Sequence, residues 1–224
     1  MILCIETSGA IGSAALSGPE GQCVELCMAT AGNAHAEQIP VMAARLMDIA
    51  MAEGSRIEAV AVNKGPGSYT GLRIGTSLAK GICFGLGVPL IACDGLQLMA
   101  RKAASAGLLG DYYICMLDAR RNEVFYAIYS SSFEVLEPLG SKVLSEDVWG
   151  DYAGKKVVFC GNAVEKLKTL IPTFADYPAI ECEPDASWLC PDAYGQLKQQ
   201  KLADLAYFEP DYGKAFYTGT LSKK

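Results

Sequence analysis

Lys64-Gly65-Pro66-Gly67-Ser68-Tyr69-Thr70-Gly71-Leu72-Arg73-Ile74-Gly75 is the segment with the clearest chemical potential. Its glycines fall where a buried apolar run gives way to a helical pattern. Such a turn lets backbone approach a ligand, and the helix N-terminus offers N–H groups and a positive dipole end to an anion. Gly65, Gly67 and Ser68 are therefore candidate phosphate contacts. The segment is not a P-loop, because no Gly-Lys-Ser/Thr follows at the required spacing. The same residues also suit a plain tight turn with a capping serine. Glu6 and Asp118 each end an apolar run. Two such carboxylates can face each other across a cleft on a metal-bridged phosphate, or accept hydrogen bonds from nearby backbone N–H groups. Thr7 and Ser8 follow the first, Arg120 follows the second, and Arg73 lies within the glycine segment.

His35 is the chain's one histidine. That excludes a two-histidine metal site within the chain, and with it zincin-type peptidase chemistry. A Ser-His or Cys-His nucleophile pair would have to use His35. Position i+4 from it is Ile39.

These side chains need a scaffold, and hydrophobic periodicity supplies one. Ile2–Glu6, Gly12–Ser17 and Gln22–Met28 are expected strands, the last two joined by the turn at Gly18–Gly21. A helix is expected over Ala36–Glu53, a strand over Ile57–Val62, a helix over Thr70–Leu86, a strand over Pro89–Cys93 and a helix over Leu96–Ser105. The pattern then restarts. Strands are expected at Tyr113–Leu117, Glu123–Tyr129, Glu134–Val143 and Val157–Cys160, with a helix running to Leu170. A last helix is expected over Pro191–Ala206. Strand–acid–turn–strand thus occurs at Glu6 and at Asp118, and strand–Gly-turn–helix at Gly65 and at Gly161. This internal duplication predicts two related α/β halves with a cleft between them, residues 1–108 and 109–224.

The chain has 224 residues, 51% of them hydrophobic, and a net charge of −6. The acidic balance argues against tight nucleic-acid binding by this chain alone. No basic stretch precedes an apolar run at the N-terminus, so no secretory signal is expected, and no run of 18 or more apolar residues suggests a membrane-spanning helix. The nine scattered cysteines form no C-x-x-C pair and suit buried thiols in a reducing cytoplasm. Residues 1–110 carry only 7 basic and 8 acidic side chains, against 12 and 17 in the remainder. A half so poor in charge has a large core or presents an apolar face to something else. The helix over 70–86 supports the second option. It has two ribbons of small residues, Gly71/Gly75/Ala79 and Ser77/Gly81/Gly85, and each interior glycine costs about 1 kcal/mol against alanine. One ribbon serves packing within the chain and the other suits a partner. The helix over 36–53 carries Val41, Met47 and Met51 beyond its inner stripe.

Ile5-Glu6-Thr7-Ser8, His35-Ala36-Glu37, the GPGSYTGLRIG run at Gly65–Gly75, Asp118-Ala119-Arg120 with Glu123-Val124, and Gly161-Asn162 occur in an order and spacing that resemble a known family. It is the TsaB family (older name YeaZ) of bacterial tRNA threonylcarbamoyladenosine biosynthesis proteins. The resemblance runs nearly the whole length, and Pro210–Lys214 resembles the family's final Pro-x-Tyr-x-basic element.

The resemblance implies an actin-like ASKHA fold: two RNase H-like lobes with mixed sheets flanked by helices, the second lobe reduced. It also implies a degenerate relative of the TsaD transferase that pairs with it through the two helices of the first lobe and works with the ATPase TsaE. The interface would include Ile39, Met42, Leu46, Met47, Met51, Gly71, Gly75, Leu78, Ala79 and Ile82. A homodimer is expected when the partner is absent, with tRNA contacted only indirectly.

TsaD-like catalysts hold a metal through His-x-x-x-His, and Ile39 occupies the place of the second histidine. Asp118–Asn122 has no glycine where working relatives carry a second phosphate loop. No catalytic residue and no metal are therefore expected. Thr7, Ser8, Gly65, Gly67, Ser68, Arg73, Asp118 and Arg120 remain as residual contacts to a nucleotide held weakly at the partner interface. The alternative is a stand-alone ASKHA-type small-molecule kinase or ATPase.

Overall fold

The computed structural model describes residues 1–29 and 35–213. β1 (Ile2–Glu6) is buried along its whole length. Its side chains alternate, Leu3 and Ile5 facing one helix layer and Ile2 and Cys4 the other, as the two-residue period of a strand dictates. β4 (Ala59–Asn63) repeats this, with Val60 and Val62 on one face and Ala59 and Ala61 on the other. A strand covered on both sides reads as a continuous apolar run, which is how both stand in the sequence.

β2 (Ser13–Ser17), β3 (Cys23–Met28) and β5 (Leu90–Cys93) complete a sheet of order β3-β2-β1-β4-β5. β6 (Tyr112–Asp118), β7 (Glu123–Ser130), β8 (Val135–Val143), β9 (Val157–Cys160) and β10 (Ala179–Ile180) form a second, of order β10-β9-β6-β7-β8. Counted from its own first strand, each sheet has the order 3-2-1-4-5. In each, the first three strands are antiparallel and the fourth and fifth run parallel to the first. The duplication expected from the two strand–acid–turn units is thus a duplication of topology.

α1 (His35–Ala52) and α2 (Tyr69–Leu86) lie on one face of the first sheet. The Ser68 side chain caps α2 by accepting from Gly71 N–H, and Gly87, in the left-handed region at φ 67°, ends it. The second lobe is reduced where these helices would recur. Only a 3₁₀ turn, Gly150–Tyr152, lies between β8 and β9, and α4 (Val164–Leu170) is short. Trp149, Phe159 and Phe174 fill that face instead.

Two expectations need correction. The final helix, α5, spans Ala186–Lys198 rather than Pro191–Ala206. Asp185 caps it by accepting from Ser187 N–H, so it starts before Pro191, which sits inside it. The other correction concerns the halves. α3 (Gly95–Ser105) packs on the second sheet through Leu96, Met99, Ala100 and Ala103. α5 returns to the first sheet, where Leu189, Cys190 and Ala193 meet Ile2, Cys4 and Ala15. Each half lends a helix to the other's sheet, so a cut at residue 108 divides neither core cleanly. The remaining expected elements match within two residues at each end. β10 went unread because two residues carry no periodicity.

Candidate functional site

The C-terminal ends of β1, β4, β6 and β9 converge on a cleft of ≈ 840 Å³ between the lobes. The sequence named eight residues for it. Ser8, Gly67, Ser68, Asp118 and Arg120 line it together. Thr7, Gly65 and Arg73 do not. Thr7 is buried beneath α2, where a Cβ on Gly71 or Gly75 would overlap its atoms. Gly65 sits against the Asp211 carbonyl and lines a separate space with Lys64, Asp94 and Tyr129. Arg73 is exposed and donates to Tyr69 Oη at 2.9 Å.

The glycine turn commits much of its hydrogen-bonding capacity internally. Ser68 N–H donates to Ser8 O at 2.8 Å, and Ser68 Oγ accepts from Gly71 N–H at 3.2 Å. On the opposite wall, Asp118 accepts from Lys166 Nζ at 2.8 Å and from Arg120 N–H at 2.7 Å. Partial burial opposes ionisation there, but these two donors hold the Asp118 carboxyl below its usual range. Asn162 then links the lobes. Its Oδ1 accepts from Asp118 N–H, its Nδ2 donates to Glu183 Oε1 at 2.6 Å, and Glu183 Oε2 accepts from Ala10 N–H at 3.2 Å. Sequence reasoning missed Lys166 and Glu183, since neither lies in a patterned motif. Gly161-Asn162 was visible only as a turn.

The turn after β6 reverses without glycine. Arg120 and Arg121 both hold positive φ, 71° and 50°, a conformation that costs a non-glycine residue roughly 1–2 kcal/mol. Side chains therefore project where a phosphate-binding loop would present bare backbone.

Glu6 does not face Asp118. It is fully buried and accepts from Ser8 N–H and Asn63 Nδ2, each at 2.6 Å. Asn63 also donates to Ser8 Oγ at 3.0 Å and accepts from Gly65 N–H at 2.8 Å, tying the two glycine-rich turns together. Burial pushes the Glu6 carboxyl up to about 7, against the hydrogen bonds from Ser8 and Asn63, which lower it. The folded value exceeds that of an unfolded chain, about 4.3, so the folded state holds the extra proton between the two. The stability this group contributes is full below that interval and is lost as pH rises through it. Urea unfolding of the wild type and Glu6→Gln across pH should show the wild-type advantage falling by on the order of 3 kcal/mol from pH ~4.5 to ~7.5. A flat difference would refute the shift.

The helix surface also divides. Ile39 and Leu46 on α1, and Gly71, Gly75 and Ala79 on α2, are buried in the chain's own core and cannot form a partner surface. They were included because periodicity finds an apolar stripe without saying which stripe is already covered. Met42, Met47, Leu78 and Ile82 are half-buried, and Met51 is 70% exposed. Two exposed residues join it, Val41 at 68% and Phe84 at 84%. Gly81 and Gly85 have open space where a Cβ would stand, so the outward ribbon is Ser77/Gly81/Gly85. Phe84 was missed, although its place beside that ribbon was a usable signal. His35 begins α1, and Ile39, in the position of an absent second histidine, is fully buried. The side chain of His35 and the basic residue of the final element, Lys214, lie outside the described residues. Among the described residues no group of His, Cys, Asp and Glu could hold a metal ion. No helix of theirs is long and apolar enough to cross a membrane.

Comparison with known proteins adds identity to this geometry. The family described as TsaD, tRNA N6-adenosine threonylcarbamoyltransferase, matches residues 29–207. The Bacillus subtilis tRNA threonylcarbamoyladenosine biosynthesis protein TsaB is 32% identical over 176 residues, 76% of this chain and 74% of that protein. The chain belongs to the TsaB (YeaZ) family.

The Haemophilus influenzae TsaB is 36% identical over a shorter stretch of 73 residues, 33% of this chain and 30% of that protein. YeaZ from Pseudomonas aeruginosa has the same fold, with a TM-score of 0.78 at 22% identity over 94% of this chain and 98% of that one. TsaB membership places the chain among proteins of tRNA threonylcarbamoyladenosine biosynthesis, and the doubled sheet is the actin-like fold that the resemblance implied.

Proposed function

We propose that this chain is a non-catalytic subunit of the tRNA threonylcarbamoyladenosine machinery, docking on a TsaD-like transferase through α1 and α2 and holding it active, together with a TsaE-like ATPase. The observation that carries this reading is the outward face of those helices. Phe84 is exposed on α2 beside Gly81 and Gly85, which have open space where a Cβ would stand. Val41 and Met51 are exposed on α1, which lies on the same face of the sheet. A large exposed apolar area on a charge-poor half is a hallmark of an interaction site. The same face would support a homodimer when the partner is absent, in a cytoplasmic setting.

The rival reading, a stand-alone ASKHA kinase or ATPase, has the interlobe cleft in its favour. Against it stand Ser68, committed to its own helix, Asp118, paired with Lys166, and the arginines at the glycine-free turn. Size exclusion of the chain with its cognate TsaD-like protein should show co-elution at micromolar concentrations. Threonylcarbamoyladenosine formation in the reconstituted system should require this subunit. Separate elution, or full modification without the chain, rejects the proposal. Tight ATP–Mg²⁺ binding by the chain alone would favour the rival.

A further inference from the structure

The first sheet has a second covered face, and a different surface lies there. α5 covers it, opposite α1 and α2, while α3 packs on the second sheet and lies beside α5, and a groove of ≈ 660 Å³ runs between these two helices. Its lining takes one face of α5 from Ser187 to Gln196, then Gln199 and Lys201 beyond the helix end, one face of α3 from Gln97 to Ser105, and Cys23. At 1.5 Å per residue, α5 alone makes it about 15 Å long. Gly195 lies on the α5 face, with open space where a Cβ would stand.

The groove is cationic in an acidic chain. Arg101, Lys102 and Lys201 line it against one carboxylate, Asp192, which already accepts from Gln196 Nε2 at 2.8 Å. All three cations are exposed, and among the described residues none has a carboxylate within salt-bridge distance. The Lys102 ammonium lies 5.1 Å from the centre of the Trp188 ring, in the groove wall. Gln199 adds a side-chain amide to the lining, while the Gln97 and Gln196 amides donate within the chain, to Phe133 O at 2.9 Å and to Asp192 at 2.8 Å.

We infer that this groove binds the phosphodiester backbone of an RNA chain, making direct contact with tRNA while α1 and α2 hold the protein partner. This rests on the proposed function for its choice of RNA. Arg101, whose guanidinium lies 4.8 Å from the centre of the Phe133 ring, Lys102 and Lys201 have no carboxylate partner among the described residues, and together they give the sequence-independent attraction for phosphates. An aromatic ring beside cations and an amide is the combination with which proteins take up unpaired nucleotides. The length of the groove suits a chain rather than a single compact anion. Lying on the opposite side of the sheet, it stays open when the helix face is occupied. The net charge argues against tight binding by the isolated chain, and a local strip of this size adds to the affinity of a complex rather than creating it.

The test is anisotropy of fluorescein-labelled tRNA with the assembled complex over a salt series. Two variants are compared with wild type: the triple change Arg101→Glu, Lys102→Glu and Lys201→Glu, and Gly195→Glu, which puts a charge into the open groove. Both should weaken binding at least about tenfold, and the triple change should flatten the slope of log affinity on log salt by about two. Co-elution with the partner should not change. Millimolar inorganic phosphate should not displace the RNA, and polyglutamate of equal charge should compete poorly. Unchanged affinity and slope in both variants would overturn the inference. So would displacement by phosphate, which marks a small-anion pocket, or equal competition by polyglutamate, which marks an acidic-peptide site. If the wild-type chain fails to co-elute with its partner, the proposed function fails instead, and the groove is then tested by comparing wild type and both variants as isolated chains at low salt, where weak phosphate attraction is strongest; equal weak binding by all three overturns it.

Discussion

Gly71→Ala is expected to destabilise the protein by at least about 3 kcal/mol, the upper end of the range for overpacking. The added methyl has no room. A Cβ there would overlap the Thr7 carbonyl oxygen and lie 3.3 Å from Ser68 Cβ. Both obstacles are fixed, because Ser68 caps α2 and Thr7 leaves β1 between the bonded residues Glu6 and Ser8. Neither can yield without moving the turn that joins the glycine segment to the first strand. Gly81→Ala, on the same helix, should do the opposite. Its Cβ meets nothing within 4 Å, so only the propensity difference acts, and alanine should add about 0.5–1 kcal/mol. Chemical unfolding of the two variants beside wild type measures both. In a chain of this size the first change should lower the melting temperature by roughly 10 °C. Equal stability of Gly71→Ala and wild type would mean that α2 is not seated on β1.

That contrast between two glycines of one helix shows what periodicity carries and what it omits. The four-residue spacing of both ribbons is plain in the sequence. Which ribbon lies inward depends on the register of α2 against β1, set by contacts more than sixty residues apart. The partner set of ten residues therefore mixed core residues such as Ile39, Leu46 and Ala79 with genuinely outward ones such as Met51. The strands were easier to read. Runs such as Ile2–Ile5 and Val157–Cys160 are buried on both faces, and continuous apolar stretches bounded by glycine turns mark them directly. The exchange of α3 and α5 between the sheets left no trace, since an apolar stripe does not say which of two sheets it covers. The cleft was half legible. Residues following strands with motif-like turns, Ser8, Gly67, Ser68, Asp118 and Arg120, were found. Glu183 and Lys166 were not, because Glu183 reaches the cleft from an irregular segment and Lys166 reaches Asp118 from a short helix. Glu6 looked like a site residue because strand-terminal carboxylates often are; its burial against Asn63 makes it a structural tie.

Phe84→Asp should abolish co-elution with the TsaD-like partner and reduce threonylcarbamoyladenosine formation to the level seen without the subunit. The free chain should barely register the change. Phe84 is 84% exposed and contributes little to its own core, and surface substitutions of this kind stay within about 0.5 kcal/mol. In the complex the side chain becomes a buried carboxylate without a partner, and the lost aromatic contact adds to that cost. Interface centres built on aromatic anchors lose about 2 kcal/mol or more on truncation alone, so a loss of at least about a hundredfold is expected once desolvation is included. Gly81→Leu makes an independent second arm. It fills the open space beside Phe84 without adding charge, and leucine is a good helix former. It should block docking by bulk while leaving thermal stability at or above that of wild type. Val135→Asp supplies the control. Val135 is also exposed, at 53%, but lies on the edge strand of the second sheet, whereas α1 and α2 cover the first, and its replacement should leave co-elution unchanged. If Phe84→Asp and Gly81→Leu both co-elute like wild type, the helix face is not the docking surface. If all three variants fail together, general apolar adhesion and not a defined interface holds the complex. Loss confined to the two α2 variants, with stability intact, separates docking from folding, because Gly71→Ala on the buried ribbon shows what a folding defect on the same helix looks like.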